Sequence, residues 1–266
     1  MEEKLPMTNR FSYYCSSVFT LFRGVKNFPA LLRLATRQPS DEPIELHLRS
    51  GERFEVCTLM DAWILKETIL DRQYEKVSTP VRPDWTIVDI GAALGDYAIW
   101  AARQLTSGKV IAVEPFPRSV KLLRENLKLN LVNNVEVAET ALGGQDGQSG
   151  LQIVTGQAVQ HSTAATISAG GTLSVGVRSL GSFFQEARIE HCDYLKIDCE
   201  GAEYDILFNC SQSELKKIDR ICMEVHDAIT CHSRVEMVEF LQKNGYKTRL
   251  TLNPVHDDLA YLFAER

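Results

Sequence analysis

The chain has 266 residues, 44% of them hydrophobic and 24% charged, which is enough apolar material for one large α/β domain with an extension and argues against a disordered chain. The net charge of -6 is unevenly spread: residues 1–40 carry Lys4, Arg10, Arg23, Lys26, Arg33 and Arg37 against Glu2 and Glu3, which makes them +4 and leaves the rest at -10. An acidic main body speaks against nucleic-acid binding, and seven cysteines, odd in number and without a C-x-x-C pair, speak against a disulfide framework and suit free thiols in a reducing cytoplasm.

Glu2 and Glu3, with Arg23 and Lys26 inside the first apolar stretch, fit neither a secretory signal nor a membrane span. Phe11, Tyr14, Val18, Leu21, Phe22 and Val25 recur at helical spacing, which predicts an amphipathic helix ending between Gly24 and Pro29, with a second short helix over 30–37. Basic residues beside that apolar face would also allow a weak membrane-surface contact through residues 11–37; docking over the main domain is the preferred reading. Ile44 to Leu48 and Arg53 to Thr58 flank Ser50-Gly51 and are expected to form a hairpin, followed by a helix from Leu59 to Tyr74. The expected organisation is a helical extension (1–40), a hairpin and helix leading into the core (41–82) and the main domain (83–266).

Trp85 to Ile90 has the β-branched, apolar character of a strand buried on both faces. Gly91 and Gly95 follow, then a helix from Tyr97 to Leu105, so strand, glycine turn and helix form the first crossover of a nucleotide-binding sheet. The turn reads D-x-G-x-x-x-G rather than the dinucleotide G-x-G-x-x-G, which makes a nicotinamide-dependent oxidoreductase the weaker alternative. A second strand ends at Glu114, placed to accept hydrogen bonds from the ribose hydroxyls of an adenosine. Val120, Leu123, Leu127 and Leu131 mark a helix's buried stripe, Val135 to Glu139 is the third strand, and Ala141 to Gly144 turns away from it.

Residues 145–172, with the β-like piece Leu151 to Val154, form either a hairpin insertion or a loop near the ligand. A helix over 179–187 leads to the fourth strand, Asp193 to Asp198, with a helix after Glu203; Arg220 to Val225 is the fifth strand. Val235, Val238 and Leu241 mark a helix closed by Gly245. Tyr246 to Leu252 and Leu259 to Ala264, joined at Asn253-Pro254, are expected to pair antiparallel. The fold class is thus α/β: a doubly wound, mostly parallel, seven-stranded Rossmann-like sheet with an antiparallel C-terminal hairpin and a helical N-terminal extension.

The run Leu195-Lys196-Ile197-Asp198-Cys199-Glu200-Gly201-Ala202-Glu203 resembles the signature of the FkbM family of S-adenosylmethionine-dependent methyltransferases. Val88 to Gly95, Glu114-Pro115, Ala141-Leu142-Gly143 and Glu224-Val225-His226 follow the same family order, and residues 1–40 lie outside it. The resemblance implies a class I methyltransferase fold, S-adenosylmethionine as cofactor and methyl transfer to a hydroxyl of a sugar, polyketide or similar small molecule. It places the cofactor at Asp89, Gly91, Ala93, Gly95, Glu114 and Ala141. Where family members often carry Asn in the turn, this chain has Ala93, and that loss of an amide is the one support for a non-catalytic, cofactor-binding scaffold.

For an alcohol acceptor the site must position donor and acceptor and remove a proton. Asp198, Glu200 and His226 sit just past strand ends, where open α/β sheets bind ligands, and with Lys196 they are the catalytic candidates. Lys196 inside a central strand must be paired or face a cavity, and it shares a face with Asp198. His226 is the candidate general base, and Glu200 either contacts substrate or caps the following helix. Asp198, Glu200 and His226 together could gather a divalent ion, but no dense ligand motif supports one, and Cys222, Cys231 and His232 lack zinc-ligand spacing; no metal is expected.

Overall fold

The computed structural model describes residues 7–38, 40, 42–152, 172–227, 230–253, 255–256 and 258–266. Helices α1 (Met7–Gly24) and α2 (Phe28–Thr36) form the extension. One face of α1 docks: Tyr13 donates a 2.9 Å hydrogen bond to Glu67, and Ser17 and Val25 are buried. The expected hairpin is β1 (Ile44–His47) paired antiparallel with β2 (Arg53–Val56). Helix α3 (Leu59–Leu65) begins at a capping box, in which the Thr58 hydroxyl accepts the Asp61 N–H and the Asp61 carboxylate accepts the Thr58 N–H.

The expected single helix to Tyr74 is interrupted. After α3 the backbone makes one π-helical turn, Lys66–Leu70, and α4 (Gln73–Val77) starts afresh after Arg72, held in the left-handed region at φ 54°. Lys66 is buried here, its ammonium 2.8 Å from Asp71 and donating to the Tyr13 hydroxyl at 3.0 Å. The turn keeps the chain helical, so the expectation fails in the continuity of the helix and not in its helical character.

The main domain continues through β3 (Thr86–Ile90), α5 (Asp96–Ala102), β4 (Lys109–Val113), α6 (Pro117–Leu129) and β5 (Val135–Ala138). Leu131, expected on the buried stripe of α6, instead lies beyond the helix at φ 55° and is exposed, because the helix has already ended at Leu129. Next come β6 (Ala141–Gly143), β7 (Gly147–Gln152) and β8 (Thr172–Ser179), a small sheet in which β8 pairs antiparallel with β7 and parallel with β6. The ends of the 145–172 segment are therefore a hairpin insertion; residues 153–171, including the end of the Leu151 to Val154 piece, lie outside the described residues.

Helix α7 (Leu180–Glu186), capped by Ser179, leads to β9 (Tyr194–Ile197), α8 (Glu203–Phe208), the short α9 (Gln212–Leu215) and β10 (Arg220–His226). Helix α10 (Arg234–Lys243) buries Met237 and Leu241 while Val235, expected on its inner stripe, is exposed; Gly245 closes it at φ 87°. Strands β11 (Lys247–Leu252) and β12 (Leu259–Glu265) pair antiparallel; the linking Pro254 is outside the described residues.

The large sheet runs β11-β12-β10-β9-β3-β4-β5, with β12 antiparallel to both neighbours and the others parallel. This is a doubly wound, Rossmann-like sheet closed by an antiparallel hairpin. Alternate residues feed two cores. Ile87, Val110, Tyr194 and Cys222 face the side covered by the N-terminal helices and α5, whereas Val88, Ile111, Leu195 and Met223 face the other side. The chain reverses direction of winding between β3 and β9, so a crevice opens at the carboxyl ends of those strands.

Candidate active site

The glycine turn lies at the end of β3. Gly91 has φ 76°, and a Cβ there would sit 1.7 Å from the Asp198 carbonyl oxygen, so only glycine lets the turn lie against the end of β9. Gly95, at φ 89°, stands at the N-cap of α5. Between them Ala93 adopts φ 46°, a left-handed conformation that suits Gly or Asn better than Ala. The Glu114 carboxylate fastens this turn: it accepts the N–H of Ala93 and the N–H of Phe116, each at 2.9 Å. Burial pushes Glu114 up to about 7 despite those two donors. Each oxygen keeps a further lone pair, so the same carboxylate can accept ribose hydroxyls. Ala141 opens β6 and is buried in a small cluster with Val175 and Phe116.

Lys196 is the hub of the strand ends. The register sets it directly beside Asp89 across the β3–β9 pair, and its ammonium lies 3.1 Å from Asp89 and 3.7 Å from Asp198 while donating to the Gly91 carbonyl at 3.1 Å. Burial opposes the charged form of Lys196, but Asp89, Asp198 and Asp96 outweigh it and raise its pKa. Asp89 is fully buried, so its visible task is to hold Lys196, and burial pushes its carboxyl up against the opposing charge of Lys196. Asp198 also accepts the Tyr74 hydroxyl at 2.6 Å; burial would raise its pKa, yet Lys196 and His226 hold it below the usual carboxylate range.

Beyond Asp198 the chain supplies three more acids around one imidazole. His226 Nδ1 lies 3.0 Å from Glu203 and its Nε2 lies 3.6 Å from Glu200. Burial alone would lower the His226 pKa, but the hydrogen bond and charge of Glu203, with the charges of Glu224 and Glu200, push it up to about 10. Burial pushes Glu200 up to about 7 against the pull of His226, and burial with the charge of Asp198 pushes Glu224 up to about 8. Glu224 accepts the Tyr261 hydroxyl at 3.1 Å, and Gln73 hydrogen-bonds that same hydroxyl.

The sequence candidates Lys196, Asp198, Glu200 and His226 therefore converge at one end of the sheet, beside the turn of Gly91 to Gly95. Glu200 does not cap α8: it sits at φ 53°, and Ala202 holds the N-cap without a side-chain hydrogen bond. Glu203, fully buried, instead accepts the Cys199 N–H at 3.1 Å as well as engaging His226. Sequence reasoning missed Glu203, Glu224, Tyr74 and Tyr261 as site residues. Glu203 stands in the same run as Asp198 and Glu200, and Glu224 stands two positions before His226, which was the available signal; the tyrosines come from distant elements and gave none. Donor atoms of Asp198, Glu224 and His226 lie within 4.8 Å of one another, a spacing that a cation could share, but each already has a protein partner. A cleft of about 360 Å³ opens beside the turn that follows Glu200, lined by Gln145, Gln148, Ser149, Gly201, Ala202 and Asp205.

The profile of the "Methyltransferase FkbM domain" matches residues 89–248, which runs from the buried Asp89 through the glycine turn, the Lys196 strand and His226. The chain belongs to this family. As an FkbM-family methyltransferase it is similar to "Methyltransferase 1" of Beauveria bassiana (strain ARSEF 2860), 25% identical over 185 residues that span 62% of this chain and 74% of the relative. It is also similar to "Methyltransferase sdnD" of Sordaria araneosa, 23% identical over 214 residues covering 69% of this chain and 81% of the other. A solved methyltransferase FkbM from Methylobacillus flagellatus KT aligns with TM-score 0.48 and 14% identity over 90% of this chain and 59% of that one. Membership removes the nicotinamide oxidoreductase alternative.

Proposed function

We propose that this FkbM-family methyltransferase uses S-adenosylmethionine to methylate a hydroxyl of a small-molecule acceptor such as a sugar or polyketide. The observation that carries the reading is the cluster of buried acids and one imidazole directly beside the glycine turn, which joins a cofactor cradle to proton-handling groups. The donor set fits the cofactor: Glu114, at the end of β4 beside the glycine turn, is fixed by two backbone donors with lone pairs to spare for ribose hydroxyls. Bound S-adenosylmethionine supplies the electrophilic methyl group.

The chain's own residues do the rest. In this reading a hydroxylated acceptor enters by the cleft beside Gly201 and Ala202, where Gln145, Gln148 and Ser149 offer polar contacts. His226, as base, would first have to lose a proton held up to about 10, whereas Glu200, pushed up to about 7, is matched to accept one near neutral pH. In this reading the acceptor hydroxyl gives its proton to the Glu200 carboxylate, and the His226 imidazolium at 3.6 Å steadies the negative charge there. Lys196 holds Asp89 and Asp198 in place rather than touching the acceptor.

Calorimetric titration with S-adenosylhomocysteine should show binding; no binding by the wild type would end the proposal. Glu200→Gln should lower turnover by about 10²–10⁴ while leaving cofactor affinity nearly unchanged, and His226→Ala should also cost far more in turnover than in affinity. Equal turnover in Glu200→Gln would remove it as base. Tight cofactor binding with no acceptor found for a labelled methyl group would favour the scaffold reading.

A further inference from the structure

We propose that the outer face of α1 and α2 is a docking surface for an anionic lipid bilayer. At 100° per residue, Tyr13, Ser17 and Leu21 form the face of α1 that packs on the domain, Tyr14 lies at its edge against the Trp63 ring, and Val18, Phe22, Cys15 and Phe19 sweep the opposite side. A helix docked by one face ordinarily shows water a polar one. Here Tyr14, Val18, Phe19 and Phe22, with Leu32 of α2, are 44% to 59% exposed. Among the described residues ten large hydrophobic side chains are exposed, and these five are half of them, gathered on two adjoining helices. The Phe22 and Phe28 rings meet edge to face at 4.7 Å, which joins the two helices into one apolar surface.

Charge selects the occupant. Between Lys4 and Ser40 there are six Lys/Arg and no Asp or Glu, in a chain whose net charge is -6. Arg23, Lys26 and Arg33 are exposed at the margin of the apolar surface, and Arg23 lies over the Phe19 ring. A second copy of this acidic chain would bring mostly negative surface to an apolar face, whereas an apolar arc rimmed by cations matches acyl chains beneath anionic headgroups. No helix of the described residues is long and apolar enough to cross a membrane, so the contact lies along the surface. The inference is independent of the acceptor's identity.

The full chain is tested by co-sedimentation with vesicles of phosphatidylcholine alone and of phosphatidylcholine with phosphatidylserine, at about 0.15 M salt. Binding to the anionic vesicles only is expected. Replacing Arg23, Lys26 and Arg33 by Gln should weaken it on the order of a hundredfold, since each cation near such a surface contributes a factor of about five. Phe19→Glu with Phe22→Glu should abolish it, with the far-ultraviolet circular dichroism and S-adenosylhomocysteine affinity unchanged. Absence of vesicle binding, equal binding to both vesicle types, or a dimer in light scattering that the Phe19→Glu/Phe22→Glu variant disperses would each overturn the proposal.

Discussion

Replacing Lys196 by Met separates a lysine that holds the strand ends together from one that serves the substrate. The Lys196 side chain is 4% exposed, with its ammonium 3.1 Å from a fully buried Asp89. Two unit charges at that distance attract by about 5 kcal/mol at an effective dielectric of about 20, and the second partner at 3.7 Å adds to this. Met fills the same volume but leaves Asp89 as a buried carboxylate without a counter-charge, which costs about 3–5 kcal/mol. Asp89→Asn in the Met background removes that charge and should restore most of the loss. Urea unfolding at neutral pH, followed by circular dichroism without ligand, measures all three proteins. Because Asp89 loses the cation that lowered its pKa, the defect of the single variant should shrink as pH falls. A Lys196→Met protein within about 1 kcal/mol of wild type, or a double variant no better than the single, would refute the reasoning.

The remaining expectations concern pH and the turn. The folded-state pKa of His226, raised to about 10, contributes stability that is fully present below the unfolded value near 6.5 and is lost as pH rises through 10. Glu200 and Glu224, raised to about 7 and 8, keep protons that the unfolded chain releases near pH 4, so their contribution falls in the same direction over the range up to 8. The ligand-free protein should therefore melt lower at pH 9 than at pH 6, and a flat or rising melting temperature would count against the charge assignments. Glu114→Ala leaves the Ala93 and Phe116 N–H groups without their acceptor, at a cost of about 1–3 kcal/mol each where burial is complete. The same change should weaken S-adenosylhomocysteine binding in calorimetry, and unchanged affinity would remove Glu114 from the cofactor's neighbours.

What the sequence reveals follows the range of its periodicities. Alternation along a strand was enough to put Lys196 and Asp198 on one face, and β-branched runs ending in glycine located the strand ends that carry the site. The Asp89 partnership depends on the register of two strands more than a hundred positions apart in the chain, which no local spacing encodes. Tyr74 and Tyr261 carry no signal of their own in the sequence; α4 and β12 bring them against Asp198 and Glu224. Glu200 and Glu203 are both acids in one short motif; only the left-handed backbone at Glu200 and the burial of Glu203 separate the accessible carboxylate from the one that anchors His226.

The placement of β12 between β10 and β11 has a consequence for biosynthesis. Strand β11 leaves the ribosome first but joins the sheet through a strand made after it. Until Leu259–Glu265 emerges, β10 offers an open edge next to the acids of the site, and Glu224 lacks the hydroxyl of Tyr261. A polypeptide lacking β12 would thus carry every residue of the FkbM profile and still expose a sticky edge, the kind of fault that chaperones and proteases recognise.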